Sequence, residues 1–178
     1  MDPAIETALR GALALLFAVA ARHKARDLDG FRATLAEYRL LPEGAASVAA
    51  RLVIVAEVAA SVALLVPVLR APGPLLAAGL LAVYTGAIAI NLARGRRDID
   101  CGCAGPALRQ PLSGWLLGRN GILLAAALAC LAPLRPRPLV WVDALTVTGA
   151  VAALGAFYGA LDRLVANAPR LAHLRERT

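Results

Sequence analysis

Charge is what this sequence has least of. Charged residues make up 17% of the 178 positions, where a soluble domain carries about 25%. The shortfall excludes a chain wrapped in a solvated polar shell. No stretch is both long enough and polar enough to form a separate soluble domain, so the reading is of a single integral membrane domain, 1–178. Lysine is nearly absent, Lys24 being the only one among nineteen basic residues. Histidine occurs twice, at His23 and His173, without any recognised ligand spacing, which argues against a metal site. Also missing is the basic start of a removable export signal. Met1-Asp2-Pro3-Ala4-Ile5-Glu6 is acidic and no small-residue cleavage site follows, so the first apolar stretch is expected to stay as an anchor.

What is present in excess is Ala, Leu and Val. Apolar residues reach 60% and mean hydropathy is +0.67. They fall into five blocks: Ile5 to Ala21, Ser47 to Leu69, Pro74 to Leu92, Trp115 to Leu134 and Leu139 to Val165. Crossing about 30 Å of hydrocarbon takes roughly 20 residues, a length for which the middle three qualify cleanly. Glu6 and Arg10 interrupt the first block; Asp143 and the Asp162-Arg163 pair mark the ends of the last. The predicted fold is an all-α, multi-pass transmembrane helical bundle of four core spans plus a fifth. Pro72 and Pro74 suit a tight turn between the second and third blocks, and Pro133, Pro136 and Pro138 one between the fourth and fifth. In the loop Arg22 to Ala46, Phe31, Leu35 and Tyr38 share one face, as in a surface helix resting on the bundle.

A net charge of +7 does not point to nucleic acid, because the arginines sit in the gaps between blocks, where lipid headgroups are. The partner implied is the bilayer, with no nucleic acid. With five spans, both long loops and the C-terminal tail share one side of the membrane. Outside the spans that side carries thirteen basic residues; the opposite side has Arg70, Arg135 and Arg137. The positive-inside rule puts the heavier side in the cytoplasm.

Two groups of residues carry chemistry. Cys101 and Cys103 lie in a polar loop just outside a span, separated by Gly102. A glycine between them permits the bend that brings two Cα atoms within disulfide range, and a strained exposed disulfide is oxidising. The pair reads as redox-active; a structural turn with two incidental thiols and half of a zinc site are the other readings. Cys130, roughly 20 Å along the fourth span from Trp115, reads as a core hydrophobe. Glu57 is near the middle of the second span, where a carboxylate costs about 3 kcal/mol unless it is paired or protonated. Arg119 is its expected partner, with Asn120, Lys24, Asn91 and Tyr84 in the same half of the bundle.

The run Asn91-Leu92-Ala93-Arg94-Gly95-Arg96-Arg97-Asp98-Ile99-Asp100-Cys101-Gly102-Cys103-Ala104-Gly105 resembles the signature of the methylamine utilisation protein MauE family, DoxX-like membrane proteins. Lys24-Ala25-Arg26-Asp27 with Phe31, Glu57, and Arg119-Asn120 agree with it up to about Leu134; Ala104 departs, since many relatives carry an aromatic there. The resemblance implies a thiol–disulfide component in the bacterial inner membrane that helps mature the disulfide-rich small subunit of methylamine dehydrogenase. It implies a thioredoxin-like partner and an exported client, with Cys101 and Cys103 exchanging disulfides and the loop on the outer face, against the charge count. A non-enzymatic assembly factor and a DoxX-like subunit of a quinone-linked oxidoreductase are the alternatives. The layout is also similar to vitamin K epoxide reductase-type enzymes, whose cysteines are two residues apart. That analogy alone implies a quinone; the residues themselves name no cofactor.

Overall fold

The computed structural model describes residues 1–42, 44–101, 110–135 and 137–175, with side chains of the last helix through residue 165 and at Asn167. Among the described residues six α-helices follow from the apolar blocks and their punctuation. Helix α1, Pro3–Arg26, starts with proline at its first position, and the Asp2 carboxylate accepts from the Ala4 N–H at 2.8 Å. Asp27 ends α1 with φ −132° and at once caps α2, Leu28–Glu37, its carboxylate accepting from the Gly30 N–H. One residue thereby turns the chain off a span and onto the surface. Phe31 and Tyr38 face inward with Leu35 half-buried, as their spacing predicts.

Helix α3, Ala46–Leu65, is followed by a single 3-10 turn, Pro67–Leu69, and by α4, Pro72–Ala93. The turn is tight as expected, but α4 begins at Pro72 and includes Pro74, because the first helical turn needs no proline N–H. At its far end Gly95 adopts φ +74°, its N–H reaching the Leu92 carbonyl and that of Arg96 the Asn91 carbonyl. This is a Schellman cap, and it turns the chain toward the cysteine loop. Helices α5, Gly114–Ala129, and α6, Trp141–Arg175, complete the chain. Among the described residues there is no strand, only an isolated antiparallel bridge between Asp100 and Pro111.

Among the described residues four helices are long and apolar enough to cross a membrane: α1, α3, α4 and the part of α6 from Trp141 to Val165. The first and last blocks, interrupted by charge in the sequence, therefore give full-length helices. The fourth block, which carries Arg119 and Asn120 within it, gives the short one. Its helix has 16 residues, about 24 Å, and unwinds after Ala129 through turns at Leu131 and Ala132. Helix α1 lies at the centre against α3 and α6, and α4 bridges α3 and α5. Val55, Val62, Leu65, Val83, Ile122 and Phe157 are among the large apolar side chains left on the outside. In lipid such a surface is solvated and needs no protein cover.

The two ends of the bundle differ. At one end the N-terminus, the α3–α4 turn and the α5–α6 link meet. The Met1 amino group donates to the Pro133 carbonyl, and Arg137 bridges Asp2 and Asp143. Those Arg137 hydrogen bonds, with that of the Ala4 N–H, hold the Asp2 carboxyl below its ordinary value. Deeper in, the buried Arg10 guanidinium donates to the carbonyls of Leu64 (2.7 Å), Val66 (3.0 Å) and Ala63 (3.3 Å). It satisfies the end of α3, where carbonyls lack helical partners. Glu6 lies 3.6 Å from Arg10 and 2.9 Å from Arg70, which also donates to the Ala132 carbonyl.

Close backbone approach sets this end. A Cβ on Gly73 would stand 2.7 Å from the Ala63 carbonyl oxygen and 2.8 Å from its carbon, both backbone atoms that cannot swing aside. Gly73→Ala should therefore push α4 away from α3 and destabilise the protein by about 1–3 kcal/mol. A lowered melting temperature in detergent checks this, with Gly79→Ala, where a Cβ meets nothing within 4 Å, as the control.

Candidate functional site

The loop end of the bundle is built in layers. The lower apolar cluster contains Leu13, Ala14, Phe17, Ala60, Leu64, Leu81, Ala127 and Cys130. The upper one contains Tyr38, Ile88, Ile99, Cys101, Leu112 and Leu116. Between them the helices place polar residues at matching levels. Glu57 is one turn above Ala60, Tyr84 one turn above Leu81 and one below Ile88, and Asn120 one turn below Leu116.

At the centre of this layer Lys24 Nζ donates to Glu57 Oε1 at 2.6 Å, and the Tyr84 hydroxyl donates to the same oxygen at 2.8 Å. Glu57 is 0% exposed and Lys24 5%. The ammonium also stands over two rings, 5.3 Å from the centroid of Phe31 and 5.6 Å from that of Tyr84. A desolvated cation gains most from ring faces where water is excluded. Lys24, near the end of α1, reaches back down into the bundle, so α1, α3, α4 and, through Phe31, α2 meet at one charge pair.

Arg119 belongs to a second pair. Its Nη1 donates to Asp162 of α6 at 2.8 Å, its guanidinium lies 5.5 Å from the Tyr158 ring centroid, and Nη2 is 3.4 Å from Asn120 Oδ1. The expected Glu57–Arg119 pair is therefore corrected: Glu57 takes Lys24 and Arg119 takes Asp162. Asp162 was passed over as a span-end charge, although an acid inside an apolar helix signals a buried partner. Asn91 does not join the layer either. It donates to the Ala87 carbonyl and accepts from Arg96 Nη1 at 3.2 Å, and that same nitrogen reaches the Tyr38 carbonyl. Asn91 thus ties the α4 cap to the end of α2.

Of the two loop cysteines, Cys101 is described; Cys103, with Gly102, Ala104 and Gly105, lies outside the described residues. The Cys101 N–H donates to the Gln110 carbonyl at 2.9 Å, and the Gln110 N–H donates to Asp100 Oδ1 at 3.1 Å. The Leu112 N–H is shared between the carbonyls of Arg97 and Ile99. The Tyr38 hydroxyl lies 3.5 Å from the Cys101 carbonyl. Cys101 is 8% exposed, packed over Ile88 and Leu116. Cys130 is buried in the lower cluster, below the polar layer, as its span position implies.

Gln110 escaped the sequence reading. It is 1% exposed, and neither side-chain amide atom has a hydrogen-bond partner among the described residues; the same holds for Glu57 Oε2 and Asn120 Nδ2. Polar residue type in a loop gave no signal for burial. Among the described residues no group of three or more His, Cys, Asp or Glu could hold a metal.

Helical spans and a buried ion-pair layer beneath Cys101 define a small multi-pass membrane protein with buried charges in its interior. The family model for methylamine utilisation protein MauE matches residues 2–133, and the chain belongs to that family. The methylamine utilization protein MauE of Paracoccus denitrificans is 44% identical over 129 residues, 72% of this chain and 69% of that protein. Its counterpart in Methylophilus methylotrophus is 35% identical over 170 residues, 92% of this chain and 87% of that one. The Methylorubrum extorquens protein of the same name is 39% identical over 137 residues, 76% and 74% of the two chains. No solved structure matches.

The pairing predicts a distinct mutational pattern. Lys24→Met strands a buried carboxylate and should cost about 3–5 kcal/mol, whereas Lys24→Met with Glu57→Leu should recover much of that loss. Arg119→Met should couple to Asp162→Leu and be additive with Glu57→Leu. A double-mutant cycle on melting temperature reads both; coupling of Arg119 to Glu57 comparable to that of Lys24 would reverse the assignment.

Proposed function

We propose that the chain serves methylamine utilisation as a membrane thiol–disulfide component that supports disulfide formation in an exported protein. By family that client is the methylamine dehydrogenase small subunit. The reading rests on one observation above all: the Cys101 backbone is pinned by the Gln110 carbonyl directly over the buried charge layer. A reactive group held there keeps a fixed position relative to the membrane surface while its loop stays short.

In this reading Cys101 and Cys103 form the working disulfide. A client thiolate attacks one sulfur, a mixed disulfide forms and the other cysteine departs as thiolate. A second client thiol then displaces the first bond, leaving the client oxidised and the pair reduced. The disulfide of a thioredoxin-like partner takes the two electrons back. Lys24, Glu57 and Tyr84 act as positioning residues with Arg119, Asn120 and Asn91, holding the helices beneath the loop. The protein sits in the inner membrane with this loop outward, where disulfides persist. The basic excess on that side is the price of this orientation.

The burial of Cys101 favours one alternative, a non-enzymatic assembly factor that positions the exported subunit, since a cysteine only 8% exposed is a poor entry point for a soluble thiol. Substitution separates the two. Cys101→Ser or Cys103→Ser should abolish client maturation while Cys130→Ser leaves it intact, and Cys103→Ser should trap a mixed disulfide visible on non-reducing gels. Maturation undiminished in the loop variants would leave the assembly role. An impermeant maleimide applied to intact, reduced cells should label the loop thiols, whereas labelling only after lysis would place the loop inside.

A further inference from the structure

One feature of the lipid-facing surface has no part in the layer or the loop. Between α1 and α3, on the outside of the bundle, runs a groove of about 280 Å³. Its walls are Ala18, Ala21 and Ala25 on one side and Ile54, Val58 and Val62 on the other. Ser61 also lines it but is already engaged, its hydroxyl donating to the Ala14 carbonyl at 2.9 Å. That bond sets two antiparallel helices in register, so rising along α1 from Ala14 corresponds to descending α3 from Ser61. Small side chains on α1 hollow out the surface, and apart from the engaged Ser61 the floor is apolar.

The charge is all at one end. Arg22 lines the groove near the end of α1, exposed. Across from it Arg51, also exposed, lies on the same stripe of α3 as Ile54, Val58 and Val62, one turn nearer the loop end. Neither arginine has an ion-pair partner among the described residues. Arg22 stands four residues before the end of α1, about 6 Å, a depth from which a long side chain reaches the interface. The groove is thus apolar at hydrocarbon depth, with Arg22 in its lining at headgroup depth and Arg51 just beyond it on the α3 side.

We infer that this groove is a binding site for one phospholipid with an anionic headgroup, its acyl chain lying between α1 and α3 and its phosphate held by Arg22 and Arg51. The order of apolar floor and cationic mouth is the order of an acidic lipid. A second copy of the chain fits poorly, because two-fold packing on this face in the plane of the membrane would bring the same arginines together.

Native mass spectrometry of the full chain, delipidated and titrated with phosphatidylglycerol or phosphatidylcholine, tests this. Each basic side chain near the surface contributes about fivefold, so one phosphatidylglycerol should be retained with a preference on the order of thirtyfold. Arg22→Gln with Arg51→Gln should bring the preference close to one, both positions being exposed. Ala18→Leu, which fills the groove and leaves both arginines, should weaken retention of either lipid. An unchanged preference in the double variant overturns the inference, as does Ala18→Leu without effect or displacement of the lipid by equimolar inorganic phosphate. A dimer that forms through this face in place of a lipid adduct overturns it too.

Discussion

A carboxylate in hydrocarbon must find a cation, and the bond from Lys24 to Glu57 answers that demand for this bundle. Neither residue is tolerable alone at that depth. Together, with the Tyr84 hydroxyl on the same oxygen and two rings about the ammonium, they draw four helices to one point. Apolar packing has no preference for a partner in lipid, since tails are as oily as Leu. The charge pair does, and it specifies which helices meet and at what depth. The loop above inherits its position from that.

The opposite end solves a different problem with similar parts. There Arg10 serves the carbonyls at the end of α3, and Gly73 lets α4 start against the same backbone. A helix that stops inside or near the bilayer must have its last carbonyls satisfied within the protein. One guanidinium with several donors in a fixed fork suits that task better than a single ammonium. The lone lysine is kept for the point-charge contact and arginine for the forked ones.

Much of this was legible from residue type and spacing. Long apolar blocks gave the helices, and an acid at the centre of one of them announced a buried polar site. Proline placement gave the turns, although α4 absorbs Pro72 and Pro74 because a helix start tolerates them. Partner choice was not legible. Sequence order put Glu57 and Arg119 on helices entering from the same side, but which helical faces meet depends on packing angles that no linear pattern encodes. The Lys24 side chain reaches down by its own length, a freedom that favours it over a residue drawn level by counting. Length misled in the fourth block, where apolar character continues past the point at which the helix unwinds. Gln110 was invisible for the reason that loops are read as solvated, and this one folds inward.

Helix α6 is joined to the bundle by few but specific attachments. The family match ends at residue 133, before this helix begins, yet the helix is fastened by Arg119–Asp162 and by the close fit of Gly11 against Val151. A helix held by a salt bridge between partly buried charges cannot be exchanged as a free module. A chimera that replaced α6 without its acid would leave a guanidinium buried in oil, so Arg119 and Asp162 have to be exchanged together. The bridge works as a lock whose two halves sit on different helices.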